Sequence, residues 1–288
     1  MTRLERVGIV GCGLMGAGFA EVCGRANLDV LVAVSSADSV VRGRRRLERS
    51  LDRLVRKGKA SEEEAAALAS RIAFTTDLTA LSDRQFVLES ITESLPEKIE
   101  VFAVLDKAIE DPEAILASNT SSIPIMQIGR STRRPERVIG VHLFNPVPAM
   151  RLIEVISSLC TSASTVIRTK EFLAGVLEKE VVHAKDQAGF LVNSLLIPYL
   201  IQAVRMFEVG TASAEDIDQA MTLGCGHPMG PLALIDLIGL DIIASVAEGI
   251  YQESKEPLHA PPTLLLRMVE GGLLGKKSGR GFYVYQLD

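Results

Sequence analysis

Near its start the chain reads Val7-Gly-Ile-Val-Gly11-Cys-Gly13-Leu-Met-Gly16. The apolar beginning predicts a fully buried strand, and the small residues after Gly16 predict a helix. In such a strand–loop–helix unit the first glycine permits the tight turn, the second lets the backbone approach a pyrophosphate, and the third lets helix and strand pack closely. We therefore predict a dinucleotide site whose phosphates are held by five residues: Gly11, Gly13, Leu14, Met15 and Gly16.

Short apolar runs alternate with helical segments through the first half of the chain. This alternation is typical of a mostly parallel sheet with helices on both faces. The predicted strands cover residues 7–10, 29–34, 71–75, 86–89, 115–118 and 138–142. We predict an α/β, Rossmann-like, doubly wound domain over residues 1–186.

The strand signal nearly stops after Asp186, where apolar helices follow one another. Helices are predicted over 190–208, from Ser213 onward, over 231–251 and over 262–270. An all-α domain over residues 187–288 is therefore expected. Its first helix is apolar enough to form the core of this domain, a contact between two copies of the chain, or both, which suggests a dimer.

The composition argues against several classes of protein. The 288 residues carry 31 basic and 36 acidic side chains, a formal charge of −5, and so lack the basic excess of a nucleic-acid-binding protein. No apolar run reaches the roughly 18 residues that cross a membrane, and the N-terminus is not a signal peptide. The four cysteines are spaced neither as a disulfide framework nor as a metal site. We expect reduced thiols, a cytoplasmic location and no metal.

The second predicted strand ends without the acid that commonly contacts the adenosine ribose in such domains. That carboxylate would accept hydrogen bonds from the ribose and disfavour a 2′-phosphate. Here Val34 stands in its place, and Asp38 is expected on the turn before a helix predicted over 40–59. Ser35, Ser36 and Arg42 could instead tolerate a phosphate. NAD is the predicted cofactor, and the missing acid leaves NADP open.

Among the four histidines, His142 is the best placed for acid–base chemistry. It ends a predicted strand at the edge where doubly wound sheets bind ligands. Glu154 follows after a proline-rich turn that would fold the next strand back beside the first. A carboxylate there would fix the imidazole tautomer and stabilise the imidazolium, although the same pair could equally be structural. The other histidines are interpreted as packing or surface residues: His183, His227 and His259.

Two further polar residues are candidates for contact with a substrate oxygen. Ser121 lies in a Ser/Thr/Asn turn after a strand and, taken alone, is more typical of a turn residue. Asn193 lies near the start of an apolar helix, where a buried amide needs a partner, either backbone or substrate.

Five more stretches carry a resemblance to a known family. They are SNTSSI at 118–123, HLFNPVP at 142–148, GFLVN at 189–193, HPMGP at 227–231 and GKKSGRGFY at 275–283. With the glycine loop, they run in order over nearly the whole chain. The chain resembles the L-3-hydroxyacyl-CoA dehydrogenases, and within them the bacterial 3-hydroxybutyryl-CoA dehydrogenases.

The resemblance implies an active site in the cleft between a dinucleotide domain and a helical domain that forms a homodimer. It implies hydride transfer between a short-chain (S)-3-hydroxyacyl-CoA and a nicotinamide cofactor. His142, supported by Glu154, would exchange the hydroxyl proton, while Ser121 and Asn193 would position the oxygen.

The resemblance also assigns contacts with the two large ligands. Further residues implied at the cofactor are Glu93, Lys98, Asn119, Asn145 and Lys277. Ser50, Lys57 and Ser121 are implied to contact coenzyme A, although a solvated helix face explains Ser50 and Lys57 equally well.

Two alternative functions follow from the same residues. The His–Glu chemistry would also serve a dehydrogenase of a free hydroxy acid or sugar acid. A dinucleotide-binding protein without turnover is the alternative from another class, and the set of Ser121, His142, Glu154 and Asn193 argues against it.

Overall fold

The computed structural model describes residues 4–286. The chain divides into two compact units, Met1–Asp186 (unit 1) and Gln187–Asp288 (unit 2). Each unit has its own hydrophobic core. Within the described range, no helix combines the length and the apolarity that crossing a membrane requires.

Unit 1 contains one eight-stranded sheet. Its strands are β1 (Arg6–Val10), β2 (Asp29–Ala33), β3 (Ile72–Thr75), β4 (Phe86–Glu89), β5 (Ile115–Ser118), β6 (Val138–Leu143), β7 (Leu152–Ser157) and β8 (Glu180–Lys185). Their order across the sheet is β3-β2-β1-β4-β5-β6-β7-β8, and all neighbours are parallel except β6 and β7. The strand β8 was not anticipated from the sequence.

The helices of unit 1 connect these strands. They are α1 (Leu14–Arg25), α2 (Ala37–Arg56), α3 (Glu62–Ser70), α4 (Leu95–Ala108), α5 (Ile125–Gly129) and α6 (Ala163–Glu171). The chain runs outward from β1 through β2 and β3, then returns to the other side of β1 for β4, β5 and β6. Because parallel crossovers are right-handed, this reversal places helices on both faces of the sheet. The predicted fold class is confirmed, and the reversal between β1 and β4 is where such sheets bind ligands.

The central strands are buried over their whole length, which explains their continuous apolar runs. Three polar side chains interrupt these runs: Glu89 ends β4, Ser118 ends β5, and His142 is the penultimate residue of β6. Buried polar groups require hydrogen-bonding partners, so these positions mark a polar site at the carboxyl edge of the sheet.

The helix after β2 begins earlier than the predicted residue 40. The hydroxyl of Ser36 accepts a hydrogen bond from the amide of Ser39 at 3.2 Å, and α2 therefore starts at Ala37. Asp38 lies in the first turn of this helix, so its expected position on a preceding turn was wrong.

Unit 2 is mainly helical, as predicted, with two isolated β-bridges near its end, Gly275 to Arg280 and Arg280 to Val284. Its helices are α7 (Val192–Glu208), α8 (Ala214–Cys225), α9 (Pro231–Ile238), α10 (Leu240–Ser254) and α11 (Thr263–Glu270). The prediction of a single helix over 231–251 was wrong: this stretch forms two helices, α9 and α10. They are separated at Gly239, whose φ of +113° lies outside the helical region. The first helix begins at residue 192 and not at 190, since Gly189 and Phe190 both have positive φ.

Short helical turns complete both units. They span Leu78–Leu81, Pro135–Arg137, Phe172–Val176, Pro257–His259 and Lys276–Ser278.

Candidate active site

The glycine loop between β1 and α1 has the geometry of a phosphate cradle. At Gly11, where φ is +93°, a Cβ would lie 2.5 Å from the carbonyl oxygen of Ser90, and at Gly16 it would lie 2.2 Å from the carbonyl oxygen of Gly11. A Cβ at Gly13, by contrast, would meet no heavy atom within 4 Å. The α1 helix begins at the next residue, Leu14, so its unpaired amides and positive dipole end lie at this open side. The loop therefore fits the pyrophosphate of a dinucleotide.

A cleft of about 780 Å³ opens beside the loop. Its walls come from the loop, the residues after β2, the first turns of α2, residues 90–92 after β4, and α4. This volume is within the range of small-molecule sites. The cleft lies where the strand order reverses, as expected for a cofactor site.

The end of β2 presents hydroxyl groups and cations in place of an acid. Val34 is buried, and the residues of the cleft that follow it up to the middle of α2 are Ser35, Ser39, Arg42 and Arg46. The Arg46 guanidinium donates to the carbonyl of Cys12 at 2.6 Å, which ties α2 to the glycine loop. Burial raises the pKa of the Cys12 thiol to about 11, with Arg46 opposing, so this cysteine stays protonated at neutral pH.

A buried histidine–carboxylate pair lies on the antiparallel strands β6 and β7. His142 and Glu154 are direct neighbours in the register of these strands, as the proline-rich turn predicted. Their Nδ1 and Oε2 atoms are 2.6 Å apart, and Glu154 has no exposed surface. A carboxylate here accepts a hydrogen bond from Nδ1–H, which makes Nε2 the proton-accepting nitrogen of the neutral ring. The arrangement is suited to general acid–base chemistry.

Glu93 organises the turn that contains Ser121. Its Oε1 accepts hydrogen bonds from the Thr120 hydroxyl at 2.5 Å, the Ser121 amide at 2.9 Å and the Ser122 amide at 3.1 Å. Burial raises the pKa of Glu93, but the nearby Lys98 ammonium and the hydrogen bonds from Thr120 and Ser121 outweigh it and lower the pKa below its ordinary value. Glu93 is therefore an anion that holds the Ser/Thr turn in one conformation.

Lys98 is buried next to Glu93. Its ammonium donates to Glu89 at 2.7 Å and lies 3.2 Å from Glu93, and its side chain is 1% exposed. Glu89 also accepts hydrogen bonds from the Ser118 hydroxyl at 2.6 Å and the Ile91 amide at 2.8 Å. With its ammonium enclosed in this way, Lys98 contacts Glu93, which in turn holds the turn at Ser121. Its contact with the cofactor stays a prediction.

Glu89 was not among the site residues predicted from the sequence. A single acid at the end of an otherwise apolar, fully buried strand was the signal that could have found it. A buried carboxylate needs a cationic or hydrogen-bonding partner.

The two asparagines predicted at the cofactor lie at the ends of neighbouring strands. Asn119 follows β5, and its side-chain oxygen accepts a hydrogen bond from the Leu143 amide at 3.0 Å. It thereby joins the carboxyl ends of β5 and β6. Asn145 is exposed and precedes the cis peptide bond to Pro146.

The two residues of α2 assigned to coenzyme A differ in their surroundings. The Ser50 hydroxyl donates to Glu21 at 2.6 Å, and Glu21 is buried and also pairs with Arg25. Lys57 is exposed at the end of the helix. Ser50 therefore already has a partner in α1, whereas the Lys57 ammonium is available to a phosphate.

Two predicted site residues belong to unit 2. Asn193 is the second residue of α7 and is half-buried. The Lys277 ammonium forms an ion pair with Asp241, at 2.5 and 2.7 Å from its two carboxylate oxygens. Burial raises the pKa of Asp241, but Lys277 more than offsets this and the pKa lies below its ordinary value.

The remaining histidines pair with hydroxyl groups: His183 with Ser157, His227 with Tyr199, and His259 with Ser254. Within residues 4–286, no group of three or more His, Cys, Asp or Glu side chains is arranged to hold a metal ion.

Comparison with known proteins gives matches over the whole chain. Residues 6–187 match the family model for the NAD-binding domain of 3-hydroxyacyl-CoA dehydrogenase, and residues 189–285 match the model for its C-terminal domain. A 3-hydroxybutyryl-CoA dehydrogenase of Mycobacterium tuberculosis is 51% identical over 98% of this chain and 99% of its own length.

Two crystal structures resemble the chain closely. That of M. tuberculosis FadB2 has a TM-score of 0.97 at 50% identity and covers 99% of this chain and 100% of its own. That of (S)-3-hydroxybutyryl-CoA dehydrogenase PaaH1 from Ralstonia eutropha has a TM-score of 0.94 at 41% identity, with the same coverage. With both of its family domains present, the chain belongs to the 3-hydroxyacyl-CoA dehydrogenases.

Proposed function

We propose that this protein interconverts (S)-3-hydroxyacyl-CoA and 3-oxoacyl-CoA, with short-chain substrates such as 3-hydroxybutyryl-CoA. The observation that carries the proposal is the buried His142–Glu154 pair, which lies on the same edge of the sheet as the glycine-loop cleft. The relatives named 3-hydroxybutyryl-CoA dehydrogenase support the substrate class. The hydride carrier is a nicotinamide dinucleotide, and we propose that NAD(H) and NADP(H) both serve.

His142 acts as the acid and base of the proposed reaction. In oxidation its Nε2 accepts the proton of the substrate hydroxyl, and in reduction the protonated ring returns a proton to the forming alcohol. Glu154 orients the ring through Nδ1 and stabilises the imidazolium charge. When bound, the nicotinamide supplies the hydride acceptor for oxidation and, once reduced, the hydride donor.

Ser121 and Asn193 are proposed to position the reacting oxygen. Glu93 fixes the backbone of the turn at Ser121, so the Ser121 hydroxyl can donate to the substrate oxygen without reorganising the turn. For Asn193, as for the cofactor residues Asn145 and Lys277, the support is the match to the family motif. Ser50 and Lys57 are proposed to contact coenzyme A, with Lys57 bearing the phosphate contact.

The experiment that tests the function is the reduction of acetoacetyl-CoA, followed by the absorbance of NADH and NADPH in parallel. Turnover with the thioester and not with free acetoacetate is the expected result. Faster turnover of a free hydroxy acid or sugar acid would favour the alternative dehydrogenase. Binding of the dinucleotide without turnover of any acyl-CoA would identify a catalytically silent protein and overturn the proposal.

Replacing Ser121 by alanine should lower kcat/KM for acetoacetyl-CoA by about fivefold, the loss expected for one neutral hydrogen bond of about 1 kcal/mol. Ser122→Ala is the matched control, because it removes a hydroxyl from the same turn and retains Ser121. Steady-state kinetics of both variants check this. Equal losses in the two variants would mean that the turn, and not the Ser121 hydroxyl, matters.

We also propose that the protein forms a homodimer through unit 2. Large apolar side chains are exposed there, among them Leu195 at 70% and Leu223 at 77%. Sedimentation velocity should give twice the mass of one chain, and Leu195→Asp should shift it to one chain. A wild-type protein that sediments as a single chain would contradict this.

A cytoplasmic location belongs to the same proposal. All four cysteines are free, and two of them, Cys160 and Cys225, are exposed, which suits a reducing compartment.

A further inference from the structure

The rim of the cofactor cleft at the end of β2 carries a cluster of hydroxyl groups and a cation. We call Ser35, Ser39 and Arg42 the serine–arginine corner; all three line the cleft that the glycine loop also lines. Dinucleotide-binding sheets place the adenosine ribose at the end of the second strand. The corner is therefore located where the 2′ position of that ribose is recognised.

The corner lacks the group that selects NAD. A carboxylate at the end of the second strand accepts hydrogen bonds from the ribose and repels a 2′-phosphate. Val34 offers neither property, and its amide is already bonded to the Thr75 carbonyl at 3.0 Å. The acids that line the cleft, Glu97 and Glu100, belong to α4, which follows β4 on the other side of β1.

Two side chains of the corner, Ser39 and Arg42, are held in place by hydrogen bonds. The Arg42 guanidinium donates to the Ser39 hydroxyl at 2.8 Å, and that hydroxyl lies 3.0 Å from the hydroxyl of Ser36. A guanidinium has five N–H donors in a planar fork that matches a phosphate, so a single bond to Ser39 leaves donors for an anion. Because Ser36 also caps α2, the positive end of this 20-residue helix adds to the charge of Arg42.

A hydrogen bond joins the helix that carries the corner to the phosphate cradle. Arg46, one turn after Arg42 on α2, donates to the carbonyl of Cys12 within the glycine loop. A dinucleotide whose pyrophosphate lies on the loop would therefore place its adenosine ribose beside the corner. A 2′-phosphate on that ribose would lie near the Arg42 guanidinium, the hydroxyl groups of Ser35 and Ser39, and the N-terminus of α2.

We infer that the serine–arginine corner binds the 2′-phosphate of NADP(H), so that this protein binds the phosphorylated cofactor more tightly than NAD(H). The inference rests on the proposed function only in that the cleft holds a nicotinamide dinucleotide. It assigns Arg42 as the residue that distinguishes the two cofactors, with Ser35 and Ser39 completing the phosphate site.

Binding of adenosine fragments tests this without any turnover. Isothermal titration calorimetry should give at least about a tenfold lower Kd for adenosine 2′,5′-bisphosphate than for 5′-AMP, since hydrogen bonds to charged groups are worth that much or more. Arg42→Ala should remove most of this difference and leave the Kd of 5′-AMP within about twofold. Equal Kd values of the two fragments for the wild-type protein would overturn the inference.

Two further variants separate a specific site from general charge. Arg45→Ala removes a neighbouring, exposed cation that does not line the cleft, and it should leave both Kd values unchanged. Ser35→Asp, at an exposed position that tolerates the change, should raise the Kd of the bisphosphate by at least about tenfold through repulsion. If Arg45→Ala weakens the bisphosphate as much as Arg42→Ala does, the preference is nonspecific and the site is refuted.

Kinetics then distinguish this inference from the proposed function. With acetoacetyl-CoA, kcat/KM should be higher for NADPH than for NADH, and Arg42→Ala should lower it for NADPH alone. If the protein binds the bisphosphate more tightly but reduces no acyl-CoA, the phosphate site is supported and the proposed reaction is contradicted. If the protein reduces acetoacetyl-CoA with NADH and does not bind the bisphosphate more tightly than 5′-AMP, the proposed reaction is supported and the phosphate site is contradicted.

Discussion

Replacement of His142 by glutamine is expected to lower kcat for acetoacetyl-CoA reduction by about 10²- to 10⁴-fold, the usual contribution of a general acid or base. Glutamine has a similar length and can form a hydrogen bond to Glu154, but it cannot take up or release a proton near neutral pH. The Kd of the dinucleotide should change little, because the glycine loop that holds the phosphates is a separate segment of unit 1. Stopped-flow or steady-state absorbance, with calorimetry for the Kd, measures both quantities.

His183→Gln is the matched control for this variant. His183 lies on β8 and bonds to Ser157, so its loss should leave kcat within about twofold. A His142→Gln protein with wild-type kcat would contradict the proposed role. In that case the His142–Glu154 pair would be structural, the alternative that the sequence left open, and its loss would show only as reduced stability.

Glu154→Gln separates the two roles of the carboxylate. The oxygen of an amide at this position can still accept a hydrogen bond from Nδ1–H, so the ring orientation can persist, but a neutral amide does not stabilise an imidazolium. We expect a loss in kcat, measured by steady-state kinetics, because the imidazolium formed in the reaction loses its counter-charge. A Glu154→Gln protein with wild-type kcat would contradict the electrostatic role of this carboxylate.

Local patterns predicted much of unit 1. The glycine loop and the apolar runs determine β1 and the cofactor side of the sheet, because a buried parallel strand needs continuous apolar residues. The pairing of His142 with Glu154 was also accessible, since a proline-rich turn between two apolar runs predicts antiparallel strands. In these cases neighbours in space are neighbours in sequence or are joined by one short turn.

The contacts that organise the site come from distant parts of the chain. Glu89 accepts hydrogen bonds from the Ser118 hydroxyl of the neighbouring strand β5 and from the Lys98 ammonium of the following helix, α4. Ser50 of α2 donates a hydrogen bond to Glu21 of α1, and no pattern within α2 reveals this contact. The family resemblance assigned Lys98 to the cofactor, and its burial follows from a carboxylate whose position the sequence did not disclose.

The buried pair of Glu89 and Lys98 makes a second large effect testable. Lys98→Met removes the cation from beside a carboxylate that has no exposed surface. An uncompensated buried charge costs about 3–5 kcal/mol when one partner of such a pair is deleted. We therefore expect the free energy of unfolding of unit 1 to fall by about this amount, and urea unfolding followed by circular dichroism measures it.

The double variant Glu89→Gln/Lys98→Met should recover most of that loss. The side-chain amide that replaces the Glu89 carboxylate is neutral and can still hydrogen-bond the Ser118 hydroxyl and the Ile91 amide, so no buried charge remains unpaired. Recovery of stability without recovery of kcat would mean that Lys98 also orients Glu93 and, through it, the turn at Ser121. If Lys98→Met costs less than about 1 kcal/mol, or if the two single losses simply add in the double variant, then Glu89 is not the anion that Lys98 neutralises, and the network behind the active site is organised differently.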